Sequence, residues 1–499
     1  MTRHILAIDQ GTTGSTALVM DLEGNTLGRA NREFQQHFPK PGWVEHDAEE
    51  IWQSVEGAVR EAMRAARVVG DEIGAIGITN QRETTLLWNR ETGAQAHRAI
   101  VWQDRRTADR CARLKAAGHE AAVRERTGLV LDPYFSGTKL AWMLDEISTA
   151  RAQAESGKLA FGTIDSFLVW KLAGANASAP HVTDVTNASR TLLMNLEARA
   201  WDTTQCELLG VPQACLPRIV PSAGSVAETR GLSFLPDGIP ISGIAGDQHA
   251  ALFGQACLEP GQVKCTYGTG AFVVMNTGSQ VVRSRFGLLS TLGWQIGDDV
   301  VYALEGSAFI AGAAVQWLRD GLGLIQSAQE TEALARSVED SGGVYFVPAL
   351  AGLGAPYWDP GARGLICGLT RGTTRAHLVR ATLESIALEV TDLVRAMGDD
   401  LERPLGLMRV DGGAAANDLL MQLQSDLAGL TVERPSDLET TARGAAMLAG
   451  IGAGLFRDAR EAAKMVKIQD QFRVTIDGPE RERRLEGWHD AVRRARSAS

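Results

Sequence analysis

The sequence feature that most constrains the fold is a strand–turn–strand unit that occurs twice, about half the chain apart. The first copy is "HILAIDQGTTGSTALVMD" (4–21), in which two apolar runs flank a turn of small and polar residues. The second copy is "KCTYGTGAFVVMN" (264–276), with the same arrangement. Because two residues are enough to close a hairpin, these longer Gly/Thr turns predict a function beyond chain reversal. A unit repeated at this separation predicts two related halves that face one another.

The composition of the turns is typical of a phosphate-binding site. In the first turn Gly11 and Gly14 let the backbone approach an anion closely, and the hydroxyls of Thr12 and Thr13 can donate to its oxygens. "YGTG" (267–270) supplies a second loop of this kind. A simple Gly/Thr turn between two strands is the alternative interpretation of either loop taken alone.

A third loop, "VDGGAAAN" (410–417), follows a strand and precedes a helix. The chain contains no Gly-x-x-x-x-Gly-Lys-Ser/Thr loop and no Gly-x-Gly-x-x-Gly loop, which disfavours two other common nucleotide folds. Two hairpin phosphate loops followed by a "DGG" loop match the actin-like ATPase fold, in which ATP lies in a cleft between two similar halves.

Strand-like runs alternate with helical patterns along the chain, which indicates an α/β protein. The clearest helix runs from Thr374 to Met397, with apolar residues three and four apart and a threonine to cap its start. We therefore predict two actin-like (ribonuclease H-like) domains with a nucleotide and substrate cleft between them. The domains are expected at 1–252, with the first phosphate loop, and at 253–499, with the second phosphate loop; the family resemblance described below implies that the first holds the substrate site and the second the adenosine site.

Composition excludes several classes of function. The 499 residues carry a net charge of −10, which argues against a general affinity for nucleic acid or anionic membrane. The six cysteines form no Cys-x-x-Cys pair, as expected in a reducing compartment. Because the N-terminal apolar run reaches Asp9 after five residues, no signal peptide is expected. The longest apolar run (444–456) is shorter than the ~20 residues that span a bilayer. We expect a cytoplasmic protein without nucleic-acid partners or membrane insertion.

The motifs together resemble the FGGY family of carbohydrate kinases over nearly the whole chain. Two stretches carry the general family patterns, "YFSGTKLAWMLDE" (134–146) and "GLICGLTRGTTRAHLVRATLE" (364–384). "NQRET", "PYFSGTK", "GDQ" and "GTGAF" resemble the branch of the family that acts on glycerol. The resemblance implies ATP-dependent phosphorylation of glycerol to sn-glycerol 3-phosphate, a part in glycerol uptake and catabolism, and a homodimer or homotetramer.

The resemblance also implies a set of site residues. Mg²⁺ is expected with ATP beside Asp9, through water. The glycerol site is expected at Arg82, Glu83, Trp102, Tyr134, Asp247, Gln248 and Phe272. The nucleotide site is expected at Thr12, Thr13, Gly14, Thr269, Gly312, Gln316, Gly413 and Asn417.

The residue types suit this chemistry. Asp247 ends an apolar run at a Gly-containing turn and is predicted to be the general base, with Gly246 leaving room for the substrate. Arg82 and Glu83 can donate hydrogen bonds to adjacent hydroxyls and accept them. Without the resemblance, Arg82 and Glu83 would be interpreted as an exposed surface pair. Trp102 and Phe272 would likewise be interpreted as core residues instead of substrate walls.

A few positions depart from the family pattern. Thr16 stands where many relatives have Arg and Gly14 where they often have Ser, which predicts one missing contact to phosphate. His249 replaces a common Gln beside the proposed base, which predicts a shifted pH dependence. The stretch "TRGLSFLPDG" (229–238) differs from the loop that binds fructose 1,6-bisphosphate in some relatives, so weak or no inhibition is expected.

Two smaller interpretations concern structure, and two alternatives concern function. "DRR" (104–106) is predicted to start a helix, with its aspartate in the first turn. "RERRLEGWHDAVRRAR" near the C-terminus is predicted to be an amphipathic surface helix.

The alternative functions are an FGGY kinase for a pentulose, gluconate or a four-carbon polyol, and an actin-like filament or chaperone ATPase.

Overall fold

A computed structural model describes residues 4–497. The strands are β1 (His4–Gln10), β2 (Gly14–Met20), β3 (Thr26–Glu33), β4 (Glu45–His46), β5 (Ile73–Asn80), β6 (Leu86–Asn89), β7 (Ala99–Ile100), β8 (Leu159–Gly162), β9 (Val182–Asp184), β10 (Met194–Asn195), β11 (Ala200–Trp201), β12 (Arg218–Val220), β13 (Ala223–Glu228), β14 (Pro240–Gly246), β15 (Val263–Tyr267), β16 (Ala271–Gly278), β17 (Leu289–Ile296), β18 (Asp299–Ala308), β19 (Tyr345–Val347), β20 (Leu365–Cys367), β21 (Leu407–Asp411), β22 (Thr431–Pro435) and β23 (Ile468–Phe472).

The α-helices are α1 (Ala48–Ala66), α2 (Ala108–Ala116), α3 (Glu120–Thr127), α4 (Ser136–Glu146), α5 (Ala150–Glu155), α6 (Ile164–Leu172), α7 (Val185–Ala188), α8 (Thr203–Leu209), α9 (Asp247–Gly254), α10 (Gly312–Asp320), α11 (Glu330–Arg336), α12 (Arg375–Leu401), α13 (Asp418–Ala428), α14 (Thr440–Gly452), α15 (Ala459–Ala462) and α16 (Gly478–Ala495). Short 3₁₀ turns lie at Gly70–Glu72, Gln213–Cys215, Gly413–Ala416 and Ala463–Met465.

The topology of the main sheet confirms the internal repeat. This sheet has 13 strands, and its N-terminal part runs β3-β2-β1-β5-β14-β13. Its C-terminal part runs β18-β16-β15-β21-β22-β23, with the same sequence of antiparallel and parallel pairings. Strand β17 joins the two parts through one pairing, Ala223 with Ile296. The α/β class and two-half architecture are therefore confirmed.

The two Gly/Thr turns close in the same way. Strands β1 and β2 pair from Ile5↔Met20 to Gln10↔Ser15, and the backbone N–H of Gly11 donates to Gly14 O over 2.9 Å. Strands β15 and β16 pair up to Tyr267↔Ala271, and Gly268 N–H donates to Gly270 O over 2.9 Å. Both turns are thus tight loops at the tips of paired strands.

Helix α14, from the C-terminal half of the sequence, packs on the N-terminal half of the sheet. A Cβ atom on Gly77 of β5 would lie 2.2 Å from the carbonyl oxygen of Ala445. A Cβ on Gly444 would lie 1.8 Å from Ala250 O in α9. Since only glycine permits such close backbone approach, these positions fix α14 against β5 and α9. Helix α14 therefore connects the packing of the two halves of the sequence.

Three helix predictions can be compared with the structure. Helix α12 begins at Arg375 after an N-cap at Thr374 and contains the predicted helix. Helix α16 buries Leu485 and Trp488 among its polar residues, as an amphipathic surface helix does. The prediction of a helix start at 104–106 was wrong, because Asp104 is buried and its carboxylate accepts hydrogen bonds from the backbone N–H groups of Val44 and Arg106.

Among residues 4–497, no helix combines the length and apolar character needed to cross a bilayer.

Candidate active site

Asp247 lies where β14 runs directly into α9. Its side chain is 33% exposed, and its Oδ1 accepts a hydrogen bond from the backbone N–H of Gln248 over 2.7 Å. The Arg82 guanidinium Nε lies 3.2 Å from the same oxygen. Desolvation in the cleft raises the pKa of Asp247 above its usual 3.8, and Arg82 opposes that shift. The carboxylate is therefore accessible, fixed at a helix start and more basic than an ordinary aspartate.

Arg82 and Glu83 follow β5 and are buried. Their side chains are 3% and 1% exposed, so the interpretation as a surface pair was wrong. Glu83 has a φ of 59°, and its carbonyl oxygen accepts a hydrogen bond from the Ser136 hydroxyl over 3.1 Å. The Glu83 carboxylate accepts a hydrogen bond from Arg190 Nε over 2.5 Å. Ser136 and Arg190 thus hold Glu83 in one orientation beside Arg82.

Glu305, on β18 of the opposite half, is the centre of a buried network that sequence reasoning missed. Arg82 Nη1 lies 2.8 Å from both Glu305 oxygens, and Arg190 Nη1 lies 3.3 Å from one of them. His249 Nε2 and the Thr291 hydroxyl lie 2.9 and 2.8 Å from Oε1. Burial opposes ionisation of Glu305, but Arg190 and Arg82 outweigh it and hold its pKa well below 4.5. Glu305 therefore fixes Arg82 across the junction of the halves.

The structure changes two expectations about neighbours of Asp247. His249 is predicted to shift the pH dependence, but burial lowers its pKa to about 4, so its own titration falls well below neutral pH. A Cβ on Gly246 would lie 2.6 Å from Arg82 Cγ. The prediction that Gly246 leaves room for the substrate was wrong, because that space is filled by the stem of Arg82.

Three aromatic residues belong to the predicted glycerol site, Trp102 and Tyr134 from the N-terminal half and Phe272 from the C-terminal half. Trp102 Nε1 donates a hydrogen bond to Thr12 Oγ1 over 2.9 Å, and the ring of Trp102 meets Tyr134 edge to face at 5.6 Å. Tyr134 and Phe272 line a cavity of about 30 Å³. Trp102 and Phe272 are half-buried, so neither is an ordinary core residue. One predicted polyol residue, Trp102, is therefore in direct contact with the first phosphate loop.

Asp9, in β1, is half-buried and close enough to Asp247 for their charges to interact. Desolvation raises its pKa to about 8, with a further contribution from the negative charge of Asp247. No cluster of three or more His, Cys, Asp or Glu side chains suited to a metal ion occurs within residues 4–497. One or two carboxylate oxygens fit Mg²⁺, which prefers oxygen ligands and usually keeps several waters and nucleotide phosphates. These residues fit a nucleotide-bound ion and not a closed protein cage.

The predicted nucleotide residues of the C-terminal half line one cavity of about 420 Å³. The Gly312 N–H at the start of α10 donates to Gly268 O over 3.0 Å, which joins that helix to the second loop. Gly412 packs on the backbone of Tyr267, where a Cβ would lie 2.5 Å from its oxygen. The cavity walls include all five of these positions: Thr269, Gly312, Gln316, Gly413 and Asn417.

The three predicted nucleotide residues of the first loop lie outside that cavity, on the N-terminal half. Thr12 and Thr13 form the turn, and Phe34 N–H donates to Thr13 O over 3.4 Å. A Cβ on Gly14 would lie 2.8 Å from the carbonyl oxygen of Arg32, so β3 requires the glycine. Thr16 accepts a hydrogen bond from Asn31 Nδ2 over 2.9 Å within the sheet. The two departures from the family pattern thus have structural partners.

The fold and the site define a carbohydrate kinase. The N-terminal domain model of the FGGY family of carbohydrate kinases matches residues 4–254, and the C-terminal domain model matches residues 263–453. The chain belongs to this family, as the motifs predicted.

Within the family, the chain groups with the glycerol kinases. The glycerol kinase of Myxococcus xanthus is 56% identical over 495 residues, which cover 99% of each chain. That of Bdellovibrio bacteriovorus is 52% identical over the same length, again 99% of each chain. The crystal structure of Plasmodium falciparum glycerol kinase with ADP superposes with a TM-score of 0.94 at 34% identity and covers 100% of this chain and 99% of its own.

Proposed function

We propose that this enzyme transfers the γ-phosphoryl group of ATP to a terminal hydroxyl of glycerol and forms sn-glycerol 3-phosphate. The observation that carries the proposal is the hydrogen bond from Trp102 Nε1 to Thr12 Oγ1, 2.9 Å long. This contact supports a glycerol site walled by Trp102 and adjacent to the first phosphate loop. A hydroxyl bound at this wall lies next to the end of a triphosphate bound at the loop.

Asp247 is the general base of the proposed reaction. Its ionised carboxylate accepts the proton of the attacking hydroxyl while oxygen bonds to phosphorus and ADP leaves. A positioned base contributes ~10²–10⁴-fold to the rate, and alignment with charge neutralisation supplies the remainder. The 3.2 Å contact with Arg82 orients the carboxylate for this step.

Arg82 and Glu83 recognise the hydroxyl groups of the polyol by hydrogen bonds. Arg82 uses Nη1 on Glu305 and Nε on Asp247, which leaves Nη2 as its remaining donor group. Glu83 supplies an acceptor, and the rings of Trp102 and Phe272 face the C–H edge. A site that bonds each hydroxyl discriminates strongly against analogues that lack one.

Asp9 is the residue that would hold Mg²⁺, through water, and the ion would supply neutralisation of charge on the transferring phosphoryl group. Thr12, Thr13 and Thr269 donate to phosphate oxygens from the two halves, and Gly312, Gln316, Gly413 and Asn417 enclose the adenosine.

An assay of ADP release tests the proposal directly. We expect ATP consumption to require glycerol and the product to carry phosphate on a terminal hydroxyl. Equal rates with a pentulose, gluconate or a four-carbon polyol would remove the substrate assignment. ATP hydrolysis without any polyol requirement would favour a filament or chaperone ATPase instead.

The remaining features concern cellular role and assembly. We place the reaction in the cytoplasm, where ATP is made and the six free cysteines stay reduced. A charged product crosses a bilayer poorly, so phosphorylation retains glycerol and supports its uptake and catabolism.

We assign residues 1–252 and 253–499 to two domains that close on substrate, and we expect a homodimer or homotetramer. Small-angle scattering with and without glycerol and nucleotide tests both the closure and the oligomeric state. Closure reduces the radius of gyration, and the scattering mass gives the number of subunits.

A further inference from the structure

Lys264 is a fully buried lysine on β15, next to the proposed glycerol site. A buried ammonium group is costly unless its hydrogen bonds are satisfied. Its Nζ contacts Gln248 Oε1, lies 3.0 Å from Thr266 Oγ1 and lies 3.4 Å from the carbonyl oxygen of Phe272. Three N–H donors thus meet three oxygens, as an ammonium group requires.

These contacts join two elements that come from different halves of the fold. Gln248 is the second residue of α9, directly after Asp247. Thr266 and Phe272 lie opposite each other in the β15–β16 hairpin. Lys264 therefore fixes the beginning of α9 to the hairpin that carries the second phosphate loop.

The contact with Lys264 also determines which way the Gln248 amide faces. An ammonium group can only donate, so Gln248 must present its carbonyl oxygen to Lys264. The NH₂ group of the amide then faces away from the lysine. Gln248 is half-buried whereas Lys264 is fully buried, so Gln248 is partly accessible to solvent.

We propose that Lys264 is a positioning residue that holds the Gln248 amide with its NH₂ group toward the substrate, as a hydrogen-bond donor to a hydroxyl oxygen. Lys264 itself touches no substrate atom in this role. The inference rests on the proposed glycerol site and adds to it the origin of the Gln248 orientation.

The first experiment replaces Lys264 by methionine, which has similar length and no donors. We expect the Lys264→Met enzyme to show a glycerol KM about 10- to 100-fold higher, the size expected from losing a charge-assisted hydrogen bond that orients a substrate contact. The KM for ATP should stay within about 3-fold and kcat should fall less than KM rises. Lys158→Met, at an exposed lysine, is the matched control.

A double-mutant cycle tests whether Lys264 acts through Gln248. In a Gln248→Met background, Lys264→Met should change the glycerol KM by less than about 3-fold, because the side chain it orients is already gone. Equal fold-changes in both backgrounds would overturn the proposal. A rise in the ATP KM alone would also overturn it, since that would indicate a direct contact with phosphate.

Gln248→Glu gives a test that leaves Lys264 and its burial intact. A carboxylate keeps the contact with the ammonium group, and its outer oxygen is an acceptor instead of a donor. We expect the glycerol KM to rise at least about 10-fold in a protein that melts at or above the wild-type temperature. An unchanged glycerol KM in the Gln248→Glu enzyme would overturn the inferred orientation, whatever the glycerol KM of the Lys264→Met enzyme.

The two proposals fail in different ways. A wild-type enzyme that does not phosphorylate glycerol would refute the proposed function. A wild-type enzyme that does so, combined with additive effects in the cycle, would refute only the role of Lys264.

Discussion

Replacing Glu305 by glutamine is the perturbation that most sharply tests how the substrate site is held. The exchange keeps the shape of the side chain but removes its charge and turns one acceptor oxygen into a donor. Arg82 Nη1 lies 2.8 Å from both carboxylate oxygens, and His249 and Arg190 lie 2.9 and 3.3 Å away. An NH₂ group placed at either oxygen therefore faces another donor.

The magnitude follows from the contact that Arg82 loses. A hydrogen bond between charged groups contributes about 1.5–3 kcal/mol, and tenfold in rate corresponds to about 1.36 kcal/mol. We expect kcat/KM for glycerol to fall about 10- to 150-fold, because Arg82 turns toward Asp247 and no longer meets the polyol. The thermal midpoint should fall as well, since a buried charge pair is broken.

The assay is ADP release at varied glycerol, with ATP affinity measured separately. Asp299→Asn, on the exposed start of the same strand β18, is the matched control and should behave as wild type. A folded Glu305→Gln enzyme with unchanged kcat/KM for glycerol would show that Arg82 does not depend on Glu305, and the network would have no part in substrate binding.

Asp247→Asn should lower kcat about 10²- to 10⁴-fold while ATP binding by calorimetry is unchanged; wild-type turnover would remove Asp247 from the mechanism. Because the pKa of Asp247 is raised above 3.8 and the ionised form acts, kcat/KM should fall as pH decreases through that higher value, and His249, with a pKa of about 4, should add no limb near neutral pH. Gly444→Val should destabilise the fold by at least about 1–3 kcal/mol in urea unfolding, since a Cβ there meets Ala250 O at 1.8 Å; unchanged stability would mean that α14 can move away. Fructose 1,6-bisphosphate should leave activity unchanged, because the side chain of Asp237 already accepts the Gly231 N–H in that loop, and inhibition at low concentration would contradict this.

The repeated hairpin was predictable because its signals are local. Alternation of apolar residues and Gly/Thr turns specify strands and loops within about a dozen residues, so the sequence alone indicated both halves and the class of fold. The strand order then follows from repeating one unit. The start of α12 was equally local, since Thr374 caps a long apolar pattern.

The burial of Arg82 could not be predicted in the same way. Glu305 pairs with Arg82, and Arg190 pairs with Glu83 and Glu305; both lie more than 100 residues further along the chain than Arg82. The residues around Glu305 form an ordinary strand pattern, which does not mark a charged residue as buried. The space next to Gly246 is filled by the side chain of Arg82, and Asp104 bonds the backbone of Val44. Both contacts join residues that are far apart in the sequence. The burial of such residues is decided by tertiary partners, which a local sequence pattern does not reveal.

The most direct test of the account is the structure of the enzyme with glycerol and a non-hydrolysable ATP analogue. We predict that a terminal hydroxyl of glycerol lies about 2.6–3.2 Å from the Asp247 carboxylate, with the outermost phosphate between the loops that carry Thr12 and Thr269. A polyol hydroxyl out of reach of Asp247, or a triphosphate bound away from either loop, would contradict the proposed mechanism.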